Sequence, residues 1–449
     1  ALSGGLAAMS GDPWVAPPGA VTAGEENEDR HLVARRRQGY NLSAEQELCM
    51  DIVSPESVGL NSRQLDRIGD WAAGYVAAGK LPFATTLVAR HGQVAFLDCR
   101  GMADLAADRP AHPDDLVRLY SMTKPVTAVA ALMLYEAGVL QLDDLVAEYI
   151  PAFADLRVMR ADGATEALAE PVRLWHLFTH TAGLTYGHRD EGPVPAAMVE
   201  AGVDFGDPTE TLAATVDRLA EVPLKFQPGT RWNYGVSTDV LGRVVEVAAG
   251  VGLDRFFADR IFAPLGMTET GFSAPAGTAD RLTACYDYHP EALLVPVTGP
   301  REAAFTGGTQ MCSGGGGLVG TLADYLQFCE MLRGGGALGE ARLLGRKTVA
   351  MMASNWMGGD LTAMGQPTFS EMPYDGIGFG LGVSVVVDPA KTRALYSIGE
   401  YAWGGAASTA FWIDPQEDMV VIFLTQVMPS STYPLRRELR ALVNAAVID

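Results

Sequence analysis

The sequence predicts a mixed α/β (α+β) fold, in which a central antiparallel sheet flanked by helices is combined with a mainly helical domain. Apolar segments separated by short turns occur near both ends of the chain, at 85–97 and 406–426. Amphipathic helical patterns lie outside them, at 61–78 and 434–446, and the pattern of 126–275 is mostly helical. Because hairpins at both ends can pair into one layer, we expect one sheet that is covered by terminal helices.

The predicted sheet domain is discontinuous in sequence. We assign it to 51–125 and 276–449 and the helical domain to 126–275, with the active site at their interface. Residues 1–49 differ, because they are rich in Gly, Ala, Pro and Glu and show no sustained apolar period. No basic segment precedes an apolar one there, so this stretch is a poor signal peptide and we expect an N-terminal extension.

The first predicted elements are a helix and a hairpin. The helix is predicted over 61–78, where Asn61 or Ser62 is suited to the N-cap position. Its apolar residues recur at helical spacing: Leu65, Ile68, Trp71, Ala72 and Tyr75. The hairpin pairs 85–90 with 93–97, and His91-Gly92 forms the turn.

Shorter patterns predict the remaining elements. Strands are predicted at 393–398, 406–413 and 419–426, with a turn at 414–418. An amphipathic helix is predicted from about 434 to 446. The helical patterns of the central region are short: 209–220, 238–249 and 253–261.

Composition and charge exclude several classes of protein. Hydrophobic residues make up 48% and charged residues 19% of the 449 residues, which favours a packed enzyme over a disordered chain. The formal net charge of −21 argues against nucleic acid or an anionic membrane as a partner. The sequence contains no apolar run of about eighteen residues, so it predicts no membrane-spanning helix. The 5 cysteines show no C-x-x-C spacing, which is typical of reduced thiols, so we expect a cytoplasmic protein.

The stretch around Ser121 carries the strongest chemical signal. Ser121 and Lys124 are three residues apart at the start of an apolar segment, so on a helix they share one face. Pro125 is tolerated only in a first helical turn, which places Ser121 near free backbone N–H groups. This arrangement supplies a nucleophile, an adjacent base and donors for an oxyanion, as acyl transfer requires.

The segment that follows Lys124 is apolar on almost every side, which predicts a buried helix. Burial disfavours an ammonium group, so we expect Lys124 to be shifted toward the neutral amine that a base must be. A chance S-x-x-K match is the alternative, since serine is common. The position at the mouth of a buried helix favours the catalytic interpretation.

Two further segments are candidates for the same site. Tyr234 follows the turn at Pro228-Gly229, and its hydroxyl is suited to relay a proton, although a core tyrosine is the simpler interpretation. Trp403-Gly404-Gly405 begins a predicted strand, where glycines allow backbone to approach a substrate closely. A bulge or a tight turn explains these glycines equally well.

Other motifs fail tests of context. His176 and His180 have the i, i+4 spacing of metal ligands, but the Glu that H-E-x-x-H requires is absent, since Leu177 and Phe178 follow His176, so we expect structural histidines. The run 315–320 matches G-x-G-x-x-G without a preceding buried strand, which predicts a loop before a helix from Thr321 instead of a dinucleotide site. No G-x-S-x-G occurs, which argues against an α/β-hydrolase.

Together these residues resemble the serine β-lactamase-related hydrolases, and most closely the family VIII carboxylesterases, over about 51–445. The motifs that carry the resemblance are, in order, Ser121-Met122-Thr123-Lys124, Leu177-Phe178-Thr179-His180-Thr181-Ala182-Gly183-Leu184, Pro228-Gly229 leading to Tyr234, Gly314 to Gly320 with Thr321, Asp324 and Tyr325, and Trp403-Gly404-Gly405. The resemblance implies a β-lactamase/transpeptidase-like fold.

The resemblance also implies roles for individual residues. Ser121 is the implied nucleophile, Lys124 the base and Tyr234 the proton relay. The backbone N–H groups of Ser121 and Ala406 form the implied oxyanion hole, which is typically worth a hundred- to a thousand-fold in turnover per donor. The segment Trp403-Gly404-Gly405 is implied to bind a small-molecule ester, without a cofactor or a metal.

Two departures from class C β-lactamases bear on the substrate. Val236 replaces the Asn of Tyr-x-Asn, and Trp403-Gly404-Gly405 replaces Lys-Thr-Gly, which removes a cation for a substrate carboxylate. We therefore expect a serine carboxylesterase for short-chain esters. The alternatives are a β-lactamase, a D-amino peptidase or another amide hydrolase on the same scaffold, or a catalytically silent binding protein.

Overall fold

The computed structural model describes residues 50–187, 191–369 and 371–449. The predicted N-terminal extension, residues 1–49, lies outside the described residues. From residue 50 onward the chain packs as one compact unit. The predicted boundaries near 125 and 275 stay a prediction, since one buried apolar cluster includes residues from both predicted domains, such as Phe83, Val244 and Ile422.

An eight-stranded antiparallel sheet forms the centre of the described chain, with the spatial order β4-β5-β6-β7-β8-β1-β2-β3. Its strands are β1 Phe83–Arg90, β2 Gln93–Asp104, β3 Arg109–Pro110, β4 Ile377–Phe379, β5 Ser384–Val386, β6 Tyr401–Gly404, β7 Ala410–Asp414 and β8 Met419–Leu424. Strand β1 pairs with β8, so Leu87 lies opposite Ile422. The sheet is thus built from both ends of the chain, as the sequence predicts.

The central strands are buried on both faces because their residues are almost all apolar or β-branched. All residues of β1 and of β8 are buried. The turn between β1 and β2 has positive φ at both central residues, 53° at His91 and 73° at Gly92. This pattern belongs to a type I′ turn, which matches the twist of an antiparallel pair. The predicted hairpin is therefore confirmed.

Helices cover both faces of the sheet. Those of eight or more residues are α1 Ser62–Ala77, α2 Thr123–Glu136, α3 Pro193–Glu200, α4 Leu212–Leu219, α5 Ser237–Ala249, α6 Pro300–Gly307, α7 Leu322–Arg333 and α8 Leu435–Asn444. Asn61 caps α1, because its side chain accepts a hydrogen bond from the Gln64 N–H. Helices α1 and α8 share one apolar cluster with the sheet residues Val88, Trp412 and Phe423.

Short elements complete the fold. The shorter helices are Pro55–Val58, Tyr120–Met122, Val146–Tyr149, Pro151–Asp155, Leu174–Phe178, Leu253–Phe257 with its continuation Ala258–Phe262 and Ala263–Leu265, Ala279–Arg281, Arg346–Met352 and Pro389–Thr392. The short strand pairs are Val117–Arg118 with Val319–Gly320, Arg157–Met159 with Thr165–Ala167, Ala337–Leu338 with Ala341–Arg342, and Thr368–Phe369 with Met372–Pro373, and a three-stranded sheet contains Tyr286–His289, Leu293–Pro296 and Val427–Met428. Among the helices described, none has the length and apolar character needed to cross a membrane.

The predicted strand at 393–398 is wrong. Pro389–Thr392 is a short helix, Arg393 has a left-handed φ of 54°, and no strand follows before Tyr401 in this described part of the chain. The backbone carbonyls of 393–398 accept hydrogen bonds from side chains instead of from a neighbouring strand. Arg437 donates to the Arg393 oxygen, and Asn444 donates to the Leu395 oxygen. The apolar side chains of Leu395 and Ile398 in this segment are exposed.

Candidate active site

Ser121 lies in a tight helical turn, Tyr120–Met122, that leads directly into α2. Tyr120 has a φ of 44°, which is costly for a residue with a large side chain and is found mainly at functional sites. Pro125 occupies the first turn of α2, as predicted. The side chain of Ser121 is partly exposed, so the hydroxyl stays accessible at the mouth of a buried helix.

Two side chains reach the Ser121 hydroxyl. The Tyr234 hydroxyl donates a hydrogen bond to Ser121 Oγ at 2.6 Å. Lys124 Nζ lies 3.3 Å from the same oxygen. Distances of this size allow direct proton transfer. The structure therefore brings together the three residues that the sequence predicts to be catalytic.

The surroundings of Lys124 differ from the prediction. Its side chain is buried, and Nζ also donates to the Gly315 carbonyl at 2.5 Å and the Tyr186 hydroxyl at 3.0 Å. Burial by itself lowers the pKa of Lys124, but Tyr186, Tyr234 and Asp239 outweigh it and raise that pKa above its usual value. The predicted shift toward a neutral amine is wrong for the unliganded site, because the cavity holds acceptors that favour the ammonium.

Asp239 is a buried carboxylate behind Lys124. On α5, it accepts hydrogen bonds from Ser313 Oγ at 2.5 Å and from the Gly315 N–H at 2.9 Å. Burial raises the pKa of Asp239, and Lys124 opposes this shift. The carboxylate thus holds the loop whose Gly315 carbonyl accepts from Lys124. A Cβ atom at Gly315 would lie 2.3 Å from Asp239 Oδ2, so any side chain there would collide with the carboxylate.

The glycine-rich run 314–320 supports the segment around Ser121, and the predicted loop before a helix is confirmed. Thr321 caps α7 by accepting from the Asp324 N–H, as expected for a helix that begins after Thr321. On that helix, the Tyr325 hydroxyl donates to the Met122 carbonyl at 2.9 Å. The Leu318 N–H donates to Thr123 Oγ1 at 3.1 Å. The run therefore fixes the start of α2.

Tyr234 is held by aromatic packing. Its ring centroid lies 4.9 Å from that of His180 and 5.4 Å from that of Trp403, and it stacks on Trp232 at 6.1 Å. The ring is buried as in a core tyrosine, while the hydroxyl reaches Ser121. The interpretation as a core tyrosine is thus confirmed for the ring, and the proton-relay role of the hydroxyl stays a prediction.

The histidines lie in a dry, aromatic part of the core. Burial lowers the pKa of His176 to about 4 and holds the pKa of His180 well below its usual range. His176 Nδ1 accepts from the Arg173 N–H, which fixes the start of Leu174–Phe178. Among the described residues no group of three His, Cys, Asp or Glu side chains could hold a metal. Both rings fit a structural role.

Trp403-Gly404-Gly405 lies beside Ser121, but it ends a strand where the sequence predicts the start of one. Strand β6 ends at Gly404, and the next strand begins only at Ala410. The connection is tight: the Gly405 N–H donates to the Thr409 carbonyl, and Ser408 has a φ of 67°. The predicted strand start at Ala406 is therefore wrong, because this turn reverses the chain there.

The turn brings backbone close to the nucleophile. A Cβ atom at Gly405 would lie 2.5 Å from the Leu119 carbonyl oxygen, so only glycine fits. Ala406 follows and lines the same cavities as Ser121. Within the described part of the chain, its N–H makes no hydrogen bond to other backbone or to side chains. This N–H is thus available to an oxyanion.

Two cavities meet at Ser121, Tyr234 and Ala406. The first, of about 110 Å³, is walled by Tyr374, Trp403 and Gly404 and extends to Arg436. The second, of about 180 Å³, is bordered by Tyr186, Met198, Val203, Phe205, Asp204 and Arg301. The site can hold two substituents on opposite sides of a carbonyl carbon.

Sequence reasoning missed Tyr186, Asp239 and Arg301. Tyr186 lies beside Lys124, but no spacing relates it to the S-x-x-K motif. Asp239 follows Tyr234 by five residues on the same side of the site, and an acidic residue inside an apolar helical pattern was a usable signal.

The four cysteines described are free thiols, as predicted.

Comparison with known proteins identifies the family. A family model described as Beta-lactamase matches residues 68–445. The chain belongs to the beta-lactamase family. Protein Rv1367c of Mycobacterium tuberculosis is 34% identical over 362 residues, which cover 78% of this chain and 87% of that protein. Esterase EstB of Burkholderia gladioli is 34% identical over 381 residues, which cover 81% of this chain and 89% of EstB.

A solved structure agrees with these relatives. EstCE1, described as a hydrolase with promiscuous acyltransferase activity, superposes with a TM-score of 0.73 at 28% identity. The match covers 88% of this chain and 99% of EstCE1. The predicted β-lactamase-like fold and the resemblance to family VIII esterases are confirmed, and this member of the beta-lactamase family is a serine hydrolase.

Proposed function

We propose that this family member is a serine carboxylesterase that hydrolyses short-chain esters through an acyl-enzyme on Ser121. The observation that carries the proposal is the 2.6 Å hydrogen bond between the Tyr234 hydroxyl and Ser121 Oγ, next to Lys124 Nζ. An esterase relative with 34% identity and the esterase-like structural neighbour support ester substrates.

Lys124 and Tyr234 act as one unit in this proposal. The raised pKa of Lys124 favours its ammonium. In the reactive form of the pair, Lys124 is therefore an ammonium and Tyr234 is a phenolate. Tyr234 then takes the proton of Ser121 Oγ, and the ammonium of Lys124 stabilises the phenolate. Lys124 is thus part of the base, and the Tyr234 oxygen is the atom that accepts the proton.

The acylation step follows from this geometry. Ser121 Oγ attacks the ester carbonyl carbon and gives its proton to Tyr234. The resulting oxyanion accepts hydrogen bonds from the N–H groups of Ser121 and Ala406. The carbon–oxygen bond to the alcohol then breaks, and Tyr234 returns the proton to the leaving alkoxide. Water repeats the sequence on the acyl-enzyme and releases the acid and Ser121.

Trp403-Gly404-Gly405 forms one wall of the substrate site in this proposal. The Trp403 ring contacts both Tyr234 and Phe379, and its indole offers an apolar surface next to Ser121. Two arginines of α8 are among the described residues that border the first cavity. Arg436 pairs with Glu371 at 2.6 Å, and Arg440 pairs with Glu400 at 2.8 Å. An apolar wall and two engaged arginines favour neutral ester groups on this side.

Removal of the nucleophile tests the proposal. We expect Ser121→Ala to abolish hydrolysis of p-nitrophenyl acetate and p-nitrophenyl butyrate, while Ser57→Ala, an exposed serine far from the site, keeps the wild-type rate. Intact-mass detection of an acyl adduct on the peptide that contains Ser121 gives a second readout. Equal rates for wild type and Ser121→Ala would end the proposal.

The alternatives from the sequence are separated by two reagents. Nitrocefin turnover beside ester turnover distinguishes a β-lactamase from an esterase, and we expect the ester to be the better substrate because Val236 and Trp403 replace residues of class C β-lactamases. A fluorophosphonate probe labels a reactive serine. Labelling of wild type but not of Ser121→Ala excludes a catalytically silent binding protein.

A further inference from the structure

The second cavity at Ser121 has an unequal distribution of charge. Its wall is mostly apolar, through Tyr186, Met198, Val203, Phe205 and Val236. Its charged residues are Asp204, Asp239 and Arg301. Whether the cavity attracts an ionic group depends on which of these charges are already matched by partners.

The two carboxylates are engaged. Asp239 accepts from Ser313 and Gly315 and faces the ammonium of Lys124. Asp204 is exposed, and its Oδ1 accepts from the Gly206 N–H at 2.7 Å. Neither carboxylate forms an ion pair with Arg301 among the described residues.

Among the described charged residues that line this cavity, Arg301 is the one without a counterion. It is the second residue of α6, and its guanidinium lies 5.7 Å from the ring centre of Tyr120, the residue before the nucleophile. A Cβ at Gly206 would lie 2.9 Å from Arg301 Nη1, so the absence of a side chain there leaves room for the guanidinium. In the described ranges, Arg301 makes no hydrogen bond and no ion pair.

The adjacent glutamate does not neutralise Arg301, because it has another partner. Glu302 Oε2 lies 2.5 Å from Arg118 Nε, and Glu302 Oε1 accepts from the Tyr120 hydroxyl at 3.1 Å. Arg118 and Glu302 are both largely buried. The pair fixes the start of α6 beneath Tyr120 and leaves Arg301 directed to the cavity that it lines.

We propose that Arg301 makes this cavity an anion-recognition subsite, so that the enzyme prefers esters that carry a carboxylate on the half entering it. The proposal rests on the proposed esterase function. A guanidinium with free donors binds a carboxylate through two parallel hydrogen bonds. The chain has a net charge of −21, so its overall field repels anions and any preference for them comes from a local cation.

Matched pairs of substrates test the subsite. One pair places the charge in the acyl half: mono-p-nitrophenyl glutarate against p-nitrophenyl pentanoate. The other places it in the alcohol half: 4-(butyryloxy)benzoate against its methyl ester. The measured quantity is the ratio of kcat/KM for the charged and the neutral member of each pair, at low and at high salt.

Three variants give the contrast. Arg301→Gln removes the cation and keeps a side chain of similar length. Asp204→Asn changes a charge of opposite sign in the same cavity. Arg342→Gln removes an exposed arginine that borders neither cavity at Ser121.

We expect Arg301→Gln to lower the charged-to-neutral ratio by about fivefold for one pair, the size of an exposed ion pair, chiefly through a lower kcat/KM for the charged ester. High salt weakens the preference in wild type but not in Arg301→Gln. Asp204→Asn raises the ratio, and Arg342→Gln leaves it unchanged.

The proposal is overturned if Arg301→Gln leaves both ratios as in wild type, or changes them no more than Arg342→Gln does. Loss of neutral-ester hydrolysis in Ser121→Ala shows separately that the esterase function holds. Failure of the anion subsite is therefore distinguishable from failure of the proposed function.

Discussion

In the mechanism that we propose, the charge state of Lys124 decides how Ser121 is activated. The amine is buried, but three oxygen acceptors surround it and Asp239 lies behind them. In a low-dielectric site such acceptors outweigh the desolvation of the ammonium. A buried lysine is thus not necessarily a neutral lysine, and the proton acceptor for Ser121 becomes the phenol oxygen that the ammonium supports.

This electrostatic arrangement predicts an alkaline pH profile. The reactive form has one proton fewer than the pair of Lys124 ammonium and Tyr234 phenol, so kcat/KM rises as pH increases. Asp239 raises the pKa of Lys124. We expect Asp239→Asn to move the midpoint of this rise to lower pH, because removal of a negative charge beside Lys124 makes it easier for the Lys124–Tyr234 pair to lose a proton.

The measurement is kcat/KM for p-nitrophenyl butyrate between about pH 6 and pH 10. Ser313→Ala is the control, because it removes one hydrogen bond to Asp239 but keeps its charge. A midpoint that moves to higher pH in Asp239→Asn, with wild-type circular dichroism, contradicts this account.

The turn from β6 to β7 is the element that positions the Ala406 N–H, which we propose as the second oxyanion donor. It spans Gly405 to Thr409, and Arg436 of α8 donates to the carbonyls at both ends, at 3.3 Å and 3.0 Å. Glycine is required at 405 by steric contact with Leu119, on the nucleophile segment. The turn, the terminal helix and the nucleophile segment thus fix the position of the Ala406 N–H together.

Gly405→Ala tests this role. The added Cβ would lie 2.3 Å from Thr409 Oγ1 and 2.5 Å from the Leu119 carbonyl, so the turn must shift away from Ser121. We expect kcat to fall by about a hundred- to a thousand-fold, as for loss of one oxyanion donor, with a smaller change in KM. Steady-state kinetics with p-nitrophenyl butyrate check the result.

Gly74→Ala is the matched control. Gly74 lies inside α1, with no atom within 4 Å of the Cβ that alanine adds. Since alanine favours a helix over glycine, the free energy of unfolding should rise by up to about 1 kcal/mol, and kcat should be unchanged. If Gly405→Ala and Gly74→Ala are equally active, the turn does not position an oxyanion donor.

At the scale of the whole molecule, a buried ion pair joins the C-terminal helix to the sheet. Arg440 of α8 donates to Glu400 Oε1 at 2.8 Å and 3.1 Å, and its guanidinium lies between the rings of Tyr396 and Trp412. The Glu400 side chain is fully buried, just before β6. Burial raises the pKa of Glu400 to about 7, and Arg440 opposes this shift.

The pair predicts a pH-dependent loss of stability. We expect Arg440→Met to lower the free energy of unfolding by about 3–5 kcal/mol near pH 8, because it leaves a buried carboxylate without a partner. The loss is smaller near about pH 5: a carboxyl whose folded pKa lies above its unfolded value takes up a proton as pH falls through about 7. Urea unfolding at both pH values measures the difference.

Arg437→Met is the control on the same helix, because Arg437 is exposed and donates to the Arg393 carbonyl. It should change the free energy of unfolding by less than about 1 kcal/mol. If Arg440→Met is equally mild, or is more destabilising at the lower pH, the ion pair does not hold α8 to the sheet in the manner described.

Local sequence determined the elements whose pattern repeats over many residues. The hairpin at His91-Gly92, the Asn61 cap and the start of α2 follow from period, turn chemistry and the position of Pro125. The pair Ser121 and Lys124 belongs to this class, since one helical turn fixes their separation. The segment 393–398 shows the limit: side chains of α8 satisfy its carbonyls, and no local pattern contains that information.

Tertiary structure alone decided what surrounds Ser121. Tyr234 is far from Ser121 in sequence, and its ring meets the hydroxyl only because aromatic packing against His180 and Trp403 holds it there. The charge of Lys124 depends on Asp239 and on the carbonyl of Gly315, which come from two other segments. A sequence specifies which groups exist, but pKa values depend on distances between segments, and those distances are set by the packed core.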